Sequence, residues 1–429
     1  MTSKRIQYAL VTALIFAAGW FGVIYALKHG DVSYTRELIA AAAGATTTDS
    51  THSTGSGQAI SPQAFEGVGA PGSDSDASSA PLPPVSNADG ISHVKTPEVV
   101  RGIYMSQCVA GSPQLRAALV KFVEESALNS IVVDIKDFSG GIAFPTDDPL
   151  LSKNVSDECG AYDMKEFVAS LHQKGIYVIG RITVFQDPTY TKAHPSQAVQ
   201  STGGGVWKNY GGLSFVDVGA KPFWDYIVRL SRVSYLQMGF DELNFDYIRF
   251  PSDGPLKEAV YTYGKDKTKT AALEEFYKYL HAQLQPAGST PGKDAPIISA
   301  DMFGMVSSHY DDLGIGQTLE SAMPYFDYID PMIYPSHYPK GFDGYSDVNA
   351  HYYDIVVNET KAAVARAIAA GYTKEKIRPW LQSFDYPVAY TPKMVQGQID
   401  AQKEGGDLDS YLFWDAANKY LALKQVLLR

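Results

Sequence analysis

The chain has 429 residues and a formal charge of −11, which excludes the basic face that nucleic acid demands. A neutral or cationic substrate suits such a balance better. Only two cysteines occur, Cys108 and Cys159; an exported context would let them pair, and two separate thiols are the equal alternative.

From Ile6 to Leu27 the sequence is apolar and uncharged, about the 20 residues that a helix needs to cross a bilayer. Residues 1–30 therefore read as an N-terminal transmembrane anchor, with cleavage near Ala17-Ala18-Gly19 as the alternative. Lys4 and Arg5 precede the span and should stay cytoplasmic, which sends the rest of the chain outward, although Lys28 just after it weakens that signal. Residues 31–95 turn to Ala, Gly, Ser, Thr and Pro, as in Thr46-Thr47-Thr48 and Pro81-Leu82-Pro83-Pro84. Such a stretch buries too little apolar surface to offset its ordering entropy, so it reads as a disordered linker. Asn154-Val-Ser and Asn358-Glu-Thr fit the glycosylation sequon, relevant only in a eukaryotic secretory pathway.

Residues 96–429 alternate strand-like and helix-like segments. The expected strands are 99–105, 130–136, 177–184, 241–248, 297–303, 328–334, 377–383 and 411–415; the expected helices are 113–128, 163–174, 221–238, 271–284, 317–323, 351–370 and 392–404. Ser112-Pro113 and Thr391-Pro392 place a capping residue before a first-turn proline, and Gly175, Gly239 and Gly371 fall at helix ends. Strict alternation of eight strands and helices predicts an α/β (β/α)8 TIM barrel. A doubly wound open sheet is the alternative, but no Gly-x-Gly-x-x-Gly turn follows the first strand, and Gly203-Gly204-Gly205 lies in a long loop.

The most informative segment is Gly239-Phe-Asp-Glu-Leu-Asn-Phe-Asp-Tyr-Ile-Arg-Phe-Pro251. Period-two alternation puts Leu243, Phe245 and Tyr247 on one face and Glu242, Asn244 and Asp246 on the other. In a barrel of this class the site lies at the C-terminal ends of the strands. The polar residues there are Asp134, Lys136, Asp137, Arg181, Thr183, Asn244, Asp246, Arg249, Asp301, Asp330, Tyr334, Gln382, Trp414 and Asp415. Asp134 with Lys136, Arg181 with Thr183, and Ser299 with Asp301 share faces by parity. Several carboxylates in one enclosure need compensating cations or protons, and Lys136, Arg181 and Arg249 are the cations available.

Two carboxylates, one ionised and one protonated, are the machinery of glycoside hydrolysis, and Asp246 with Asp301 is the expected pair. The alternative is a salt-bridged polar layer with no catalytic part. The chain holds 28 Tyr, 19 Phe and 5 Trp, enough to line a mouth with faces for sugar rings; Trp207, Tyr210, Tyr334, Tyr338, Trp380 and Trp414 are the candidates. No His-x-His or His-Glu-x-x-His motif supports a metal, no Gly-x-Ser-x-Gly elbow supports a serine nucleophile, and no cofactor is called for.

Arg101-Gly-Ile-Tyr104, Ile131-Val-Val-Asp-Ile-Lys-Asp137, the 239–251 segment, Ala300-Asp-Met-Phe-Gly304, Asp330-Pro-Met-Ile-Tyr-Pro-Ser-His-Tyr338 and Ile377-Arg-Pro-Trp-Leu-Gln382 together resemble a family of glycosyl hydrolase barrels, over about Val99 to Trp414. That family looks distantly similar to the α-amylase-like retaining barrels. The resemblance implies Asp246 as nucleophile at the end of the fourth strand and Asp301 as acid/base after the fifth, where those enzymes carry Glu. Together with the anchor read over residues 1–30, the expectation is a membrane-anchored, extracytoplasmic hydrolase of an envelope or extracellular polysaccharide. Lys136, Arg181 and Arg249 would hold the nucleophile ionised, Gln382 and Asn244 would bond sugar hydroxyls, Tyr334 and Trp414 would stack on rings, and Asp134 would lie beside them. The rivals are a catalytically silent carbohydrate-binding barrel and a metal-dependent deacetylase.

Overall fold

A computed structural model describes residues 85–428 of the chain. The anchor expected over residues 1–30 and the linker over 31–84 lie outside them. Among the described residues no helix is long and apolar enough to cross a membrane.

Eight parallel strands close into a barrel, each paired with its neighbours in chain order and the last with the first. They are β1 (Arg101–Met105), β2 (Ser130–Lys136), β3 (Tyr177–Thr183), β4 (Glu242–Asp246), β5 (Ile297–Phe303), β6 (Tyr328–Ile333), β7 (Trp380–Gln382) and β8 (Tyr411–Trp414). One helix follows each: α1 (Pro113–Glu124), α2 (Met164–Gln173), α3 (Lys221–Val233), α4 (Lys269–Leu284), α5 (Leu319–Ala322), α6 (Tyr352–Ala369), α7 (Pro392–Gly406) and α8 (Leu421–Leu427). The expected (β/α)8 architecture is present. Pro113 and Pro392 occupy the first turns as read from the sequence, and the Thr391 side chain accepts from the Met394 N–H, whereas the Ser112 side chain makes no capping bond. The seventh strand is shorter than expected because Pro379 has no N–H to give the ladder, so Ile377 contributes only an isolated bridge to Ile329.

The strands bury both faces. Outward residues such as Ile131, Val133, Val178, Ile182, Leu243 and Phe245 form the large apolar layer under the helices. A smaller cluster, including Tyr104, Val132, Ile179, Trp380 and Leu412, fills the inside of the barrel between polar layers. Residues 85–95, read as linker, lie instead against the N-terminal end of the barrel. There the Val94 N–H donates to Asp241 Oδ1 at 2.7 Å and His93 stacks on Tyr235 at 4.1 Å. At the opposite end Cys108 and Cys159 form a disulfide across 51 residues, joining the β1–α1 and β2–α2 connections.

Candidate active site

The sequence of β4 makes its own floor and rim. Asn244 and Asp246 point inward, as their parity predicts, but the strand stops at Asp246 because Tyr247 adopts a left-handed backbone, with φ of 51°. A bulky residue in that conformation stores strain, and such positions collect at functional sites. The Tyr247 N–H turns back onto Asp246 Oδ1 at 2.6 Å. Tyr247 therefore leaves the greasy face expected for it and joins the wall of a cavity at the C-terminal end of the barrel.

That cavity holds about 200 Å³ and is lined by Arg181, Asp246, Arg249, Asp301, Tyr334 and Trp414, with Tyr247, Phe303, Gly304, Met305, Met332, His337 and Tyr338 completing the wall. Gly304 is required by close approach: a Cβ there would lie 2.4 Å from the Met332 carbonyl oxygen and 2.5 Å from the Tyr338 hydroxyl.

Arg181 organises the acids. It donates from Nη1 to Asp134 Oδ1 at 2.7 Å and from Nη2 to Asp246 Oδ2, and its Nε lies 3.8 Å from Asp301 Oδ2. One guanidinium thus serves three carboxylates. Asp134 also accepts from the Tyr104 hydroxyl at 2.5 Å, and burial pushes it up to about 6 against the pull of Arg181. Asp301 lies deeper in the electrostatic sense. Burial, then the charges of Asp246 and Asp330, raise it well above the ordinary carboxylate range, with Arg181 opposing. Its Oδ1 accepts from Asn244 Nδ2 at 2.8 Å and from the indole N–H of Trp380 at 2.7 Å.

A second polar layer lies towards the N-terminal ends of the strands. Arg378 donates to Glu242 Oε1 at 2.5 Å and to Asp330 Oδ2 at 2.6 Å, while Tyr177 and Ser299 donate to Glu242 at 3.0 and 2.5 Å. Asn244 Nδ2 bridges the layers, reaching Ser299 Oγ at 3.1 Å and Asp330 at 3.2 Å as well as Asp301.

The structure places the expected site residues in three groups. Asp246, Asp301, Arg181, Arg249, Tyr334, Tyr338 and Trp414 line the cavity. Asp134 and Asn244 are buried one step behind it and hold other side chains, so neither is a direct sugar contact. Three expectations fail outright. Lys136 is fully buried and pairs with Asp187 at 2.7 Å, near the Phe223 ring of α3, outside the barrel. The cause is a β-bulge: Asp134 registers with Arg181 but Lys136 with Ile182, so the extra residue Ile135 reverses the parity that would have aimed Lys136 inward. Gly180 makes room for it, since a Cβ there would lie 2.2 Å from Ile135 Cδ1.

Gln382 is buried and committed to the backbone, accepting from the Ser336 N–H at 3.2 Å and donating to Phe384 and Tyr386 carbonyls at 3.1 and 3.3 Å. Arg249 lines the cavity but makes no ion pair with Asp246; its Nη1 donates to Ser252 Oγ at 2.8 Å. Of the aromatic candidates, Trp380 and Trp207 are buried and Tyr210 is exposed away from the cavity. Asp415 caps the turn before α8 through the N–H groups of Ala417, Lys419 and Tyr420.

Residues missed by the sequence reading are Tyr104, Phe303, Met305, Met332 and His337. Tyr104, Phe303, Met332 and His337 all fall within the quoted motifs, which was the available signal. His337 sits under Phe384 and Tyr334, and burial lowers it to about 4, so it faces the cavity neutral. Behind the wall, the Tyr338 hydroxyl donates to Glu359 Oε2 at 3.3 Å, and burial pushes Glu359 up to about 8.

Comparison with known proteins agrees with this architecture. The chain resembles the glycoside hydrolase domain of PgaB (BpsB) from Bordetella bronchiseptica at a TM-score of 0.53 and 15% identity, covering 77% of this chain and 99% of that one. It resembles α-L-fucosidase isoenzyme 2 from Paenibacillus thiaminolyticus at a TM-score of 0.53 and 10% identity, covering 76% of this chain and 48% of that one. A hypothetical protein from Ruminiclostridium thermocellum ATCC 27405 shares 28% identity over 50% of this chain and 98% of its own, with a TM-score of 0.41. The two likenesses at a TM-score of 0.53 show the barrel fold. No curated protein sequence matches. A family model described as "Putative glycosyl hydrolase domain" matches residues 102–420, about three quarters of the chain, and the chain belongs to that glycosyl hydrolase family.

Proposed function

We propose that the domain hydrolyses glycosidic bonds of a polysaccharide with Asp246 as the ionised carboxylate and Asp301 as the proton donor. The observation that carries this reading is that both acids line one cavity while Arg181 treats them differently. It donates directly to Asp246, stabilising a negative charge there. It stands 3.8 Å from Asp301, whose raised affinity for a proton comes from burial and from Asp246 itself. Two acids held by such different partners can divide the work of attack and protonation. The two donors to Asp301 both meet Oδ1, which leaves Oδ2 to carry the proton. Tyr334 and Trp414 supply flat walls for the sugar ring, Trp414 being braced by Tyr104 at 3.9 Å.

The disulfide fits an oxidising compartment, so the substrate is an extracellular or envelope glycan. The apolar span of residues 6–27 would hold the domain at a membrane from the outside.

The test is sugar release from envelope polysaccharides and from α- and β-linked glycans by the chain and its Asp246→Asn variant. Loss of roughly 10²- to 10⁴-fold in turnover is expected for the variant, with an unchanged thermal midpoint. Undiminished hydrolysis by Asp246→Asn overturns the assignment; binding without release by either protein favours the silent carbohydrate-binding barrel.

A further inference from the structure

Arg249 differs from the other buried arginines of the molecule. Arg181 and Arg378 sit among carboxylates, Arg229 pairs with Asp148 and Arg366 with Glu320. Arg249 is 7% exposed, and among the described residues no carboxylate pairs with it. The bonds it makes run from Nη1, to Ser252 Oγ and to the Phe250 carbonyl oxygen at 3.3 Å, and its buried Nε meets no acceptor. The guanidinium carbon lies over two aromatic rings, 4.6 Å from the Tyr247 ring centre and 5.5 Å from that of Phe303. Both rings line the cavity with it. The left-handed turn at Tyr247 is what swings the chain so that Arg249 reaches this wall.

A cation withdrawn from water without an anion is costly. The cost is offset when a ligand supplies the anion, and Nη2, which makes no bond among the described residues, is the donor left for a carboxylate in the cavity that Arg249 lines. The other charges in the cavity do not satisfy it. Asp246 is engaged by Arg181, and His337 is neutral.

We propose that the Arg249 wall is a subsite for an acidic sugar, a pyranose bearing a carboxylate, whose anion the guanidinium takes while the ring lies beside Tyr247. This rests on the reading of the cavity as a sugar site, and it reverses locally the preference for neutral or cationic ligands that the overall charge suggests. The net charge acts at long range through a screening solvent, whereas the buried Arg249 acts at contact.

The test separates the subsite from hydrolysis. Binding of oligomers of galacturonic, glucuronic and mannuronic acid is measured by calorimetry on the full chain carrying Asp301→Asn, which keeps that position neutral and blocks turnover. The same oligomers with their carboxyl groups reduced to alcohols are the comparison. Charge-assisted bonds of this kind predict roughly 10- to 100-fold tighter binding of at least one acidic series. Adding Arg249→Gln should erase the preference, and Arg249→Lys should restore only part of it. Equal binding of acidic and reduced oligomers by the unaltered wall overturns the proposal whether or not the Arg249 variants fold. So does a preference that survives Arg249→Gln. Acid-selective binding with no hydrolysis by the wild type would sink the hydrolase reading and leave the subsite standing; hydrolysis of neutral glycans alone would do the reverse.

Discussion

Two arginines inside one barrel lead different lives. Arg378 meets two acids, Glu242 and Asp330, and the two Glu242 oxygens that accept from it also accept from Tyr177 and Ser299. Arg181 meets three, Asp134, Asp246 and Asp301, and two of those acids face a cavity. The lower layer is a closed network whose donors and acceptors match. The upper one sets three acids against one guanidinium where the lower sets two, and it has an open side, where Asp301 is raised well above the ordinary carboxylate range. A satisfied polar network fixes structure; an unbalanced one that reaches a cavity can do chemistry.

The comparison breaks first at Arg181. Arg181→Met should lower turnover by roughly 10³-fold, about 4 kcal/mol of barrier, and an initial-rate assay that finds the variant active at near wild-type levels would mean that the upper layer is as structural as the lower. Arg378→Ala should leave the specific activity of the folded fraction unchanged and cost about 3 to 5 kcal/mol of stability, read from the urea midpoint. Replacing the whole set, Arg378→Met with Glu242→Leu and Asp330→Leu, should recover at least half of that loss, because no buried charge is then left unpaired. Failure of the triple variant to improve on the single one would show that the lower layer specifies the barrel and does not merely fill it.

The smallest effect sharpens the boundary of the active layer. Glu359 takes up its proton more readily folded than unfolded, with an ordinary value of 4.5 raised to about 8. Its stabilising contribution is therefore complete below about pH 4.5 and is lost as pH rises towards 8, since the folded state binds the extra proton throughout that window. Glu359→Gln should flatten the fall of the thermal midpoint across that range and raise it at pH 8. Unaltered pH dependence in the variant would show that Glu359 ionises freely behind Tyr338.

Most of the barrel was legible because period and punctuation agree along the chain. β2, β3 and β5 alternate inward polar and outward apolar residues, and glycine or proline marks most of the turns between elements. That Asp246 and Asp301, the proposed catalytic pair, line one cavity was legible for the same reason, as both keep the parity of their strands. Period two, however, gives direction and not depth. Asn244 and Asp134 point inward as expected yet stop beneath the cavity floor, and Gln382 is consumed by backbone groups that no pattern of side chains announces. Lys136 failed for another reason, since a bulge changes the count of residues without changing their character. Tyr247 failed because a left-handed tyrosine costs energy that only the assembled site justifies.

The bulge at Ile135 also bears on how such a site could change over generations. One inserted residue, with a glycine across from it to receive its side chain, redirects everything that follows on β2 while Asp134 keeps its bond to Arg181. A single-codon event at that place can re-aim the loop that leaves the strand and spare the acids beneath it. The barrel thus carries a point where the gain or loss of one residue re-aims Lys136 and the connection after β2 while the ion pair beneath is kept.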